Sequence, residues 1–278
     1  MEHSYQNTLP TTRMAATIAD IAGFRKPSEA DEKIDWLADI WKSRFGGNAD
    51  GVFIFSTDAV ASWIVRKYPD KFAQVWKYAP MMIPMRTALP SLTAIDYAAF
   101  FSGADPSVNG VDHYVVPVLS PECTEPLLKS DSLIAAAVRS GRKVCVITCD
   151  NGCIAAMLSR SGADFRIIPG DDDEAMFREA VTVIESKAYD FVFLYQLGFD
   201  YAQHRYGPES ETALETLDQI IGRFTVFCET VKDNHPGKNL VMFHTDHGCH
   251  KTGDKGIHGE DIPEDTDIFE FFGGTENA

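Results

Sequence analysis

Short apolar runs alternating with amphipathic stretches fill most of this chain, and that alternation leaves few architectures open. Val52 to Ser56, 81–86, Lys143 to Thr148, Phe165 to Ile168, Phe191 to Tyr195 and Leu240 to His244 read as buried strands. The stretches 59–68, 93–101, 130–140, 152–161, 172–187 and 208–232 read as helices. Ahead of them, 14–23 reads as a short helix closed by Gly23. Residues 28–44 read as an amphipathic helix with Ile34, Leu37, Ile40 and Trp41 on one face, followed by interruptions at Gly46, Gly47 and Gly51. Strands that are apolar throughout and separated by helices suit a mostly parallel sheet, because both faces are buried and each parallel step needs a crossover. The expected fold is therefore α/β: a doubly wound, mostly parallel sheet with helices on both faces. It is expected as a single domain over 1–278, with 1–48 as an N-terminal helical segment packed on it. No repeat is visible, and GDDDE at 170–174 reads as a solvated, capping acidic loop.

Composition narrows the function. Apolar residues make up 45% of the 278, enough for a sizeable core. A formal charge of -16, from 41 acidic against 25 basic side chains, repels a phosphate backbone and disfavours a nucleic-acid partner. It does not forbid a small phosphorylated substrate, because bound cations can reverse the local field. No apolar run approaches the ~18 residues of a membrane span. Met1 to Pro10 is polar and lacks the apolar stretch of a signal peptide, so a cytoplasmic location is the default expectation. With it go reduced thiols for Cys123, Cys145, Cys149, Cys153, Cys228 and Cys249, which show no CxxC pairing. Packing is the expected role of Cys145, Cys149 and Cys153. The oligomeric state is not legible.

In open α/β sheets, ligands bind beyond the carboxyl ends of the strands. Candidate ligands cluster there. Asp58 lies two residues after VFIFS, and Thr93 opens a helix in PSLTAIDYAAFFSG. Asp200 and His204 sit in FDYAQHRYGP, directly after FVFLY and four apart, so one helical turn aims both at one point. Asp246 and His247 follow VMFH as TDHG, and His258 follows in IHGED. Each has an ordinary alternative: an Asp or Thr after a strand is commonly a helix cap, and a His there can simply be a loop residue. Together, three carboxylates and three imidazoles suffice for two divalent ions, zinc first, with manganese or magnesium as alternatives. Two ions about 4 Å apart can clamp the attacking and leaving oxygens of a displacement at phosphorus.

These segments resemble the alkaline phosphatase superfamily, most closely its nucleotide pyrophosphatase/phosphodiesterase branch. PSLTAIDYAAFFSGADPSVNGV resembles that branch's nucleophile segment, and DYAQHRYGP its Asp-x-x-x-His-x-x-Gly-Pro. TDHG and the later HG resemble its final ligands, and VFIFSTDAV its first strand and metal-binding Asp. The resemblance covers residues 50 to 272. It implies an alkaline-phosphatase-like fold in which Asp58, Thr93, Asp246 and His247 surround one ion and Asp200, His204 and His258 hold the other. Thr93 is then the nucleophile, activated by its ion. TTRMAATIADIAG at 11–23 resembles a segment that normally follows the last ligand, which points to a circular permutation. In that case IFEFFGG should form an edge strand or extended segment ending near residues 8–12.

The chain departs from the branch at three places. Ala59 stands where a Gly is usual, Asp96 where an Asn is common, and Asn109-Gly110 where His-Gly is usual. Arg86 and Asn109 are the candidates for holding substrate. Arg205 reads as a surface ion pair, and His113, His244 and His250 as neighbours of the site at most. The function implied is hydrolysis of a phosphodiester or pyrophosphate bond in a small-molecule phosphate ester. A phosphomonoesterase, a phosphonate hydrolase or a phosphosugar mutase of the same superfamily uses similar metals. No sulfatase-type Cys-x-Pro-x-Arg is present. A silent metal-binding relative is the reading from another class, and intact ligands argue against it.

Overall fold

The computed structural model describes residues 8–113, 127–150 and 152–277. One sheet organises them, ordered β1-β3-β10-β7-β2-β6-β4-β5. Its strands are β1 (Leu9–Pro10), β2 (Gly51–Thr57), β3 (Met81–Arg86), β4 (Val144–Cys149), β5 (Asp164–Ile168), β6 (Phe191–Gln196), β7 (Gly237–Thr245) and β10 (Asp267–Asn277). A hairpin, β8 (His250–Thr252) and β9 (Lys255–Ile257), stands outside it. β10 runs antiparallel to both neighbours; the other strands share one direction. β2, β4 and β6 are buried along their whole length, as strands covered on two faces must be.

Helices cover both faces. The first are α1 (Arg13–Ile21), α2 (Asp35–Phe45), α3 (Ser62–Lys67), α4 (Ala73–Tyr78), α5 (Thr93–Ser102) and α6 (Pro106–Asn109). After them come α7 (Leu133–Arg139), α8 (Cys153–Leu158), α9 (Asp173–Glu185), α10 (Gly198–Tyr206), α11 (Glu211–Asn234) and α12 (Pro263–Thr266). α5 is flanked by α1, α7 and α8, while α11 packs with α4, α9 and α10. Strand alternation sorts the core between the two layers. Phe55 and Phe243 stack and meet Phe224 of α11, whereas Phe193, in register with Ile54, meets Tyr97 and Phe101 of α5.

The expected strands and helices are present with ends shifted by a few residues, and the larger differences have local causes. The helix expected over 28–44 begins only at Asp35, and Ile40, expected on its buried face, is 49% exposed. Ile34, Leu37 and Trp41 are buried as expected, and Ala38 takes the inward place expected of Ile40. IFEFFGG is no edge strand. It lies inside the sheet between β3 and β7, and its beginning, not its end, neighbours residues 9–11. Asp267 pairs with Arg86, whose carbonyl accepts the Thr11 N–H at 3.0 Å. Phe272 pairs with Met81 at the other end of β3, which puts Gly273 about 25 Å from Thr11 by strand rise and strand spacing. α1 packs on α5, and β1 extends the sheet beside β3. All five cysteines among the described residues are buried and unpaired. Among the described residues no helix is long and apolar enough to cross a membrane.

Phe55 is fully buried against α11. Phe55→Ala should lower the unfolding free energy by about 3–5 kcal/mol, because the rings around it cannot collapse fully into the space. Urea unfolding of the two proteins measures the difference.

Candidate active site and metal centre

The shared strand direction delivers the polar residues to one edge. Asp58 follows β2 directly, its N–H donated to Gln196 O at the end of β6 at 2.9 Å. Asp246 and His247 follow β7. α10 starts where β6 ends and carries Asp200 in its first turn and His204 in its last. His258 follows β9, and Thr93 opens α5. Asp58, Asp246 and His247 bring one ligand atom each within 4.8 Å of one another, and so do Asp200, His204 and His258. The two groups adjoin: the rings of His247 and His258 stack at 3.9 Å, and Thr93 Oγ1 lies 3.2 Å from His247 Nε2. The structure thus assembles all seven residues named as ligands or nucleophile.

Each side chain is held by one atom and presents another. His204, His247 and His258 place Nδ1 against a backbone carbonyl, those of Gly256, Gly248 and Ser91, each at 2.9 Å. A carbonyl only accepts, so each Nδ1 carries a proton and each Nε2 is the atom turned toward the cluster. The Nε2 atoms of His204 and His258 lie 3.1 Å apart. The carboxylates follow the same plan. Asp246 Oδ1 accepts from the N–H groups of Ala59 and His247 at 3.0 and 2.9 Å, and Asp58 Oδ2 accepts from the Tyr195 hydroxyl at 2.5 Å. Asp58 Oδ1, Asp246 Oδ2 and Asp200 Oδ1 are buried with no hydrogen-bond partner. A buried acceptor left unpaired costs about 1–3 kcal/mol. Unpaired carboxylate oxygens and inward-facing imidazole nitrogens in one place fit divalent cations, and an imidazole anchored through its far nitrogen is the usual form of a metal-binding histidine.

The electrostatics show how crowded the site is. Burial, then Asp246 and Asp200, push the Asp58 carboxyl well above the usual range. Burial raises Asp246 to about 7. Burial also works against charge on Asp200, but the His204 hydrogen bond and the neighbouring imidazoles outweigh it and lower that carboxyl. The same Asp200 raises His204 to about 9, whereas burial and His247 lower His258 to about 3. The carboxylates oppose one another's charges and so do His247 and His258, while Asp200 and His204 support each other's.

The model of the type I phosphodiesterase/nucleotide pyrophosphatase family matches residues 72–274. The chain belongs to that family. Thr93, Asp200, His204, Asp246, His247 and His258 all lie within the matched segment. Asp58 lies before it, and the sheet brings Asp58 in by placing β2 between β7 and β6. Among solved structures the fold is similar to murine ectonucleotide pyrophosphatase/phosphodiesterase 5, with a TM-score of 0.62 at 13% identity over 82% of this chain and 88% of that one. An inactive Thr-to-Ala form of that protein in complex with AMP matches with a TM-score of 0.57 at 14% identity, over 74% and 59%. Phosphonoacetate hydrolase from Sinorhizobium meliloti 1021 in complex with phosphonoformate matches with a TM-score of 0.54 at 15% identity, over 75% of this chain and 59% of that one. The chain thus spans well under two thirds of two of these three. No curated protein sequence matches.

Other residues named from the sequence lie elsewhere. Asn109 does not face the cluster: it sits past the far end of α5, whose ten residues span about 15 Å. Its amide is used within its own loop, donating to Ala104 O and accepting from Val111 N, both at 2.9 Å. Arg86 is ion-paired with Asp261, beyond His258. Arg205 lies 5.3 Å over the Tyr206 ring and makes no ion pair among the described residues. His244 pairs with Glu270 in the core, His250 with Asp265, and His113 is exposed beside Asp112. Asp96 is buried and accepts from the Thr87 hydroxyl, tying α5 to the loop before Thr93. The sequence reading overlooked Gln203, which donates to Ala59 O at 2.9 Å, and Asp173, which accepts from the N–H groups of Leu197 and Gly198 and so fixes the start of α10.

Ala59 explains the usual glycine at its position. Its φ is 61°, a conformation disfavoured for side chains with a Cβ, and this turn aims its N–H at Asp246. Ala59→Gly should therefore raise the unfolding free energy by about 0.5–1 kcal/mol. Chemical denaturation tests this; a loss of stability would show that the buried methyl outweighs the strain.

Proposed function

We propose that this chain hydrolyses a phosphodiester or pyrophosphate bond in a small-molecule phosphate ester, with Thr93 as nucleophile. Two divalent cations, zinc by preference, are held by Asp58, Asp246 and His247 and by Asp200, His204 and His258. The observation that carries the reading is the common orientation of the cluster: three imidazoles anchored through Nδ1 and three carboxylates, each with one unpartnered buried oxygen, converge beside one hydroxyl. Family membership supports phosphoric ester chemistry. The AMP complex of the murine protein and the phosphonoformate complex of the bacterial hydrolase support a small phosphorus-containing substrate.

Bound cations would supply Lewis acidity at the phosphoryl oxygens and favour ionisation of a nearby hydroxyl. The chain's own residues do the rest. The half-buried Thr93 sits in the first turn of α5, where the helix end favours negative charge and the first N–H groups have no acceptor within the helix. Its Oγ attacks phosphorus, the ester oxygen leaves, and a phosphothreonine forms that water then hydrolyses. Ser91, whose carbonyl orients His258, stands two residues before Thr93, so the same loop places both nucleophile and ligand. The engagement of Arg86 by Asp261 favours a diester, with one phosphate charge, over a monoester with two.

The test is turnover of bis-p-nitrophenyl phosphate against p-nitrophenyl phosphate by metal-loaded protein, which should favour the diester. Thr93→Ala should lower kcat on the order of 10³-fold or more while leaving metal content unchanged. Near-normal turnover by that variant excludes Thr93 as nucleophile. Asp200→Asn should reduce bound metal from two equivalents toward one by elemental analysis, and unchanged content would remove Asp200 from the ligands.

A further inference from the structure

Tyr195 is the last aromatic residue of FVFLYQ, and the pattern of β6 makes it a core residue. Phe191, Phe193 and Tyr195 alternate onto the face covered by α5, and all three are buried. Phe193 and Tyr195 both meet Tyr97 edge-on, at 6.1 and 5.4 Å. A phenylalanine would serve that packing equally well, so the feature to explain at 195 is the hydroxyl.

That hydroxyl points at Asp58. In the sheet register Tyr195 lies opposite Ser56, two residues before Asp58, so Asp58 rises from the adjacent strand on the same face. The Tyr195 O–H donates to Asp58 Oδ2 at 2.5 Å, while Asp58 Oδ1 has no hydrogen-bond partner and lies 3.3 Å from His247 Nε2. The other carboxylate of this group, Asp246, is fixed by backbone N–H groups that any sequence would supply. Asp58 owes its orientation to a side chain, which a single substitution can remove.

We propose that Tyr195 is a positioning residue for the metal centre: its hydroxyl ties down Asp58 Oδ2 so that Asp58 meets the cation of the Asp58–Asp246–His247 site through Oδ1 alone. The inference rests on the two-cation reading given above. A carboxylate free to rotate, or to bind through both oxygens, offers that cation a less well-defined ligand. Removing such an outer hydrogen bond typically costs about 10–100-fold in metal affinity.

The experiment is Zn²⁺ titration by calorimetry of metal-stripped full-length protein, in a His204→Ala background that leaves the Asp58–Asp246–His247 site to be read alone. Adding Tyr195→Phe should weaken that site about 10–100-fold. The melting temperature of the metal-free protein should stay within a few degrees, because the ring still packs. The complementary titration, in a His247→Ala background, should give the same affinity for the Asp200–His204–His258 site with or without Tyr195→Phe. An unchanged affinity at the Asp58 site overturns the proposal. So does an equal loss at both sites accompanied by a lower melting temperature, which marks a merely structural hydroxyl. If the protein with Tyr195 and both sites intact takes up no Zn²⁺, it is the two-cation reading that fails.

Discussion

Three carboxylates and three imidazoles confined to one corner of the molecule are the arrangement on which the rest of this structure depends. Left to themselves they would turn toward water or pair into neutral contacts. The fold limits this by committing one atom of five of the six, Asp200 alone pairing within the cluster. Backbone carbonyls take the histidine Nδ1 protons, backbone N–H groups take Asp246 Oδ1, and a tyrosine takes Asp58 Oδ2. What remains is a set of acceptors turned toward one another, an arrangement unfavourable without positive charge and well suited to receiving it.

Such precision requires rigid supports on several sides. β2, β6 and β7 lie side by side and end together, so their exits are fixed relative to one another by sheet hydrogen bonds rather than by loops. The ligands farther along the chain need separate braces. Asp173 clamps the start of α10, and the β8–β9 hairpin reaches back to it. Gly256 is part of that brace: a Cβ there would meet Gln203 O at 2.9 Å, so only glycine lets the hairpin come close enough for its carbonyl to hold His204.

Much of this was legible in the sequence because two periodicities carry it. Buried parallel strands are apolar at every position, and helices repeat near 3.6, so the alternation of VFIFS, FVFLY and VMFH with helices predicts the layers directly. The candidate ligands were legible because polar residues directly after such strands share one edge. What the sequence concealed depends on contacts distant in the chain. IFEFFGG is as apolar as any strand, and nothing local states that it runs against its neighbours in the sheet interior. Asn109 could pass for a substrate contact because its spacing from Thr93 matches a motif, yet its amide is taken up by its own turn. The Tyr195 hydroxyl was indistinguishable from core aromaticity until the register set Asp58 beside it. One clue lay in plain view: FVFLYQ, VMFHT and VFIFS each become polar at their ends, and Tyr195, His244 and Ser56 form one row across the sheet.

The position of β10 bears on how the molecule comes into being. β3, which leads to Thr93, has no direct hydrogen bonds to the strands that carry the acidic ligands; β10 stands between it and β7. During synthesis the chain leaves the ribosome from its amino end, so β2, β3, β6 and β7 all emerge while their bridge is still being made. Until residues 267–272 are out, the sheet has a gap two strand spacings wide, roughly 10 Å, between β3 and β7. The proposed nucleophile and ligands are therefore brought into register by the last described strand of the chain. A nascent polypeptide holds the parts of a cation trap and a reactive hydroxyl without yet joining them.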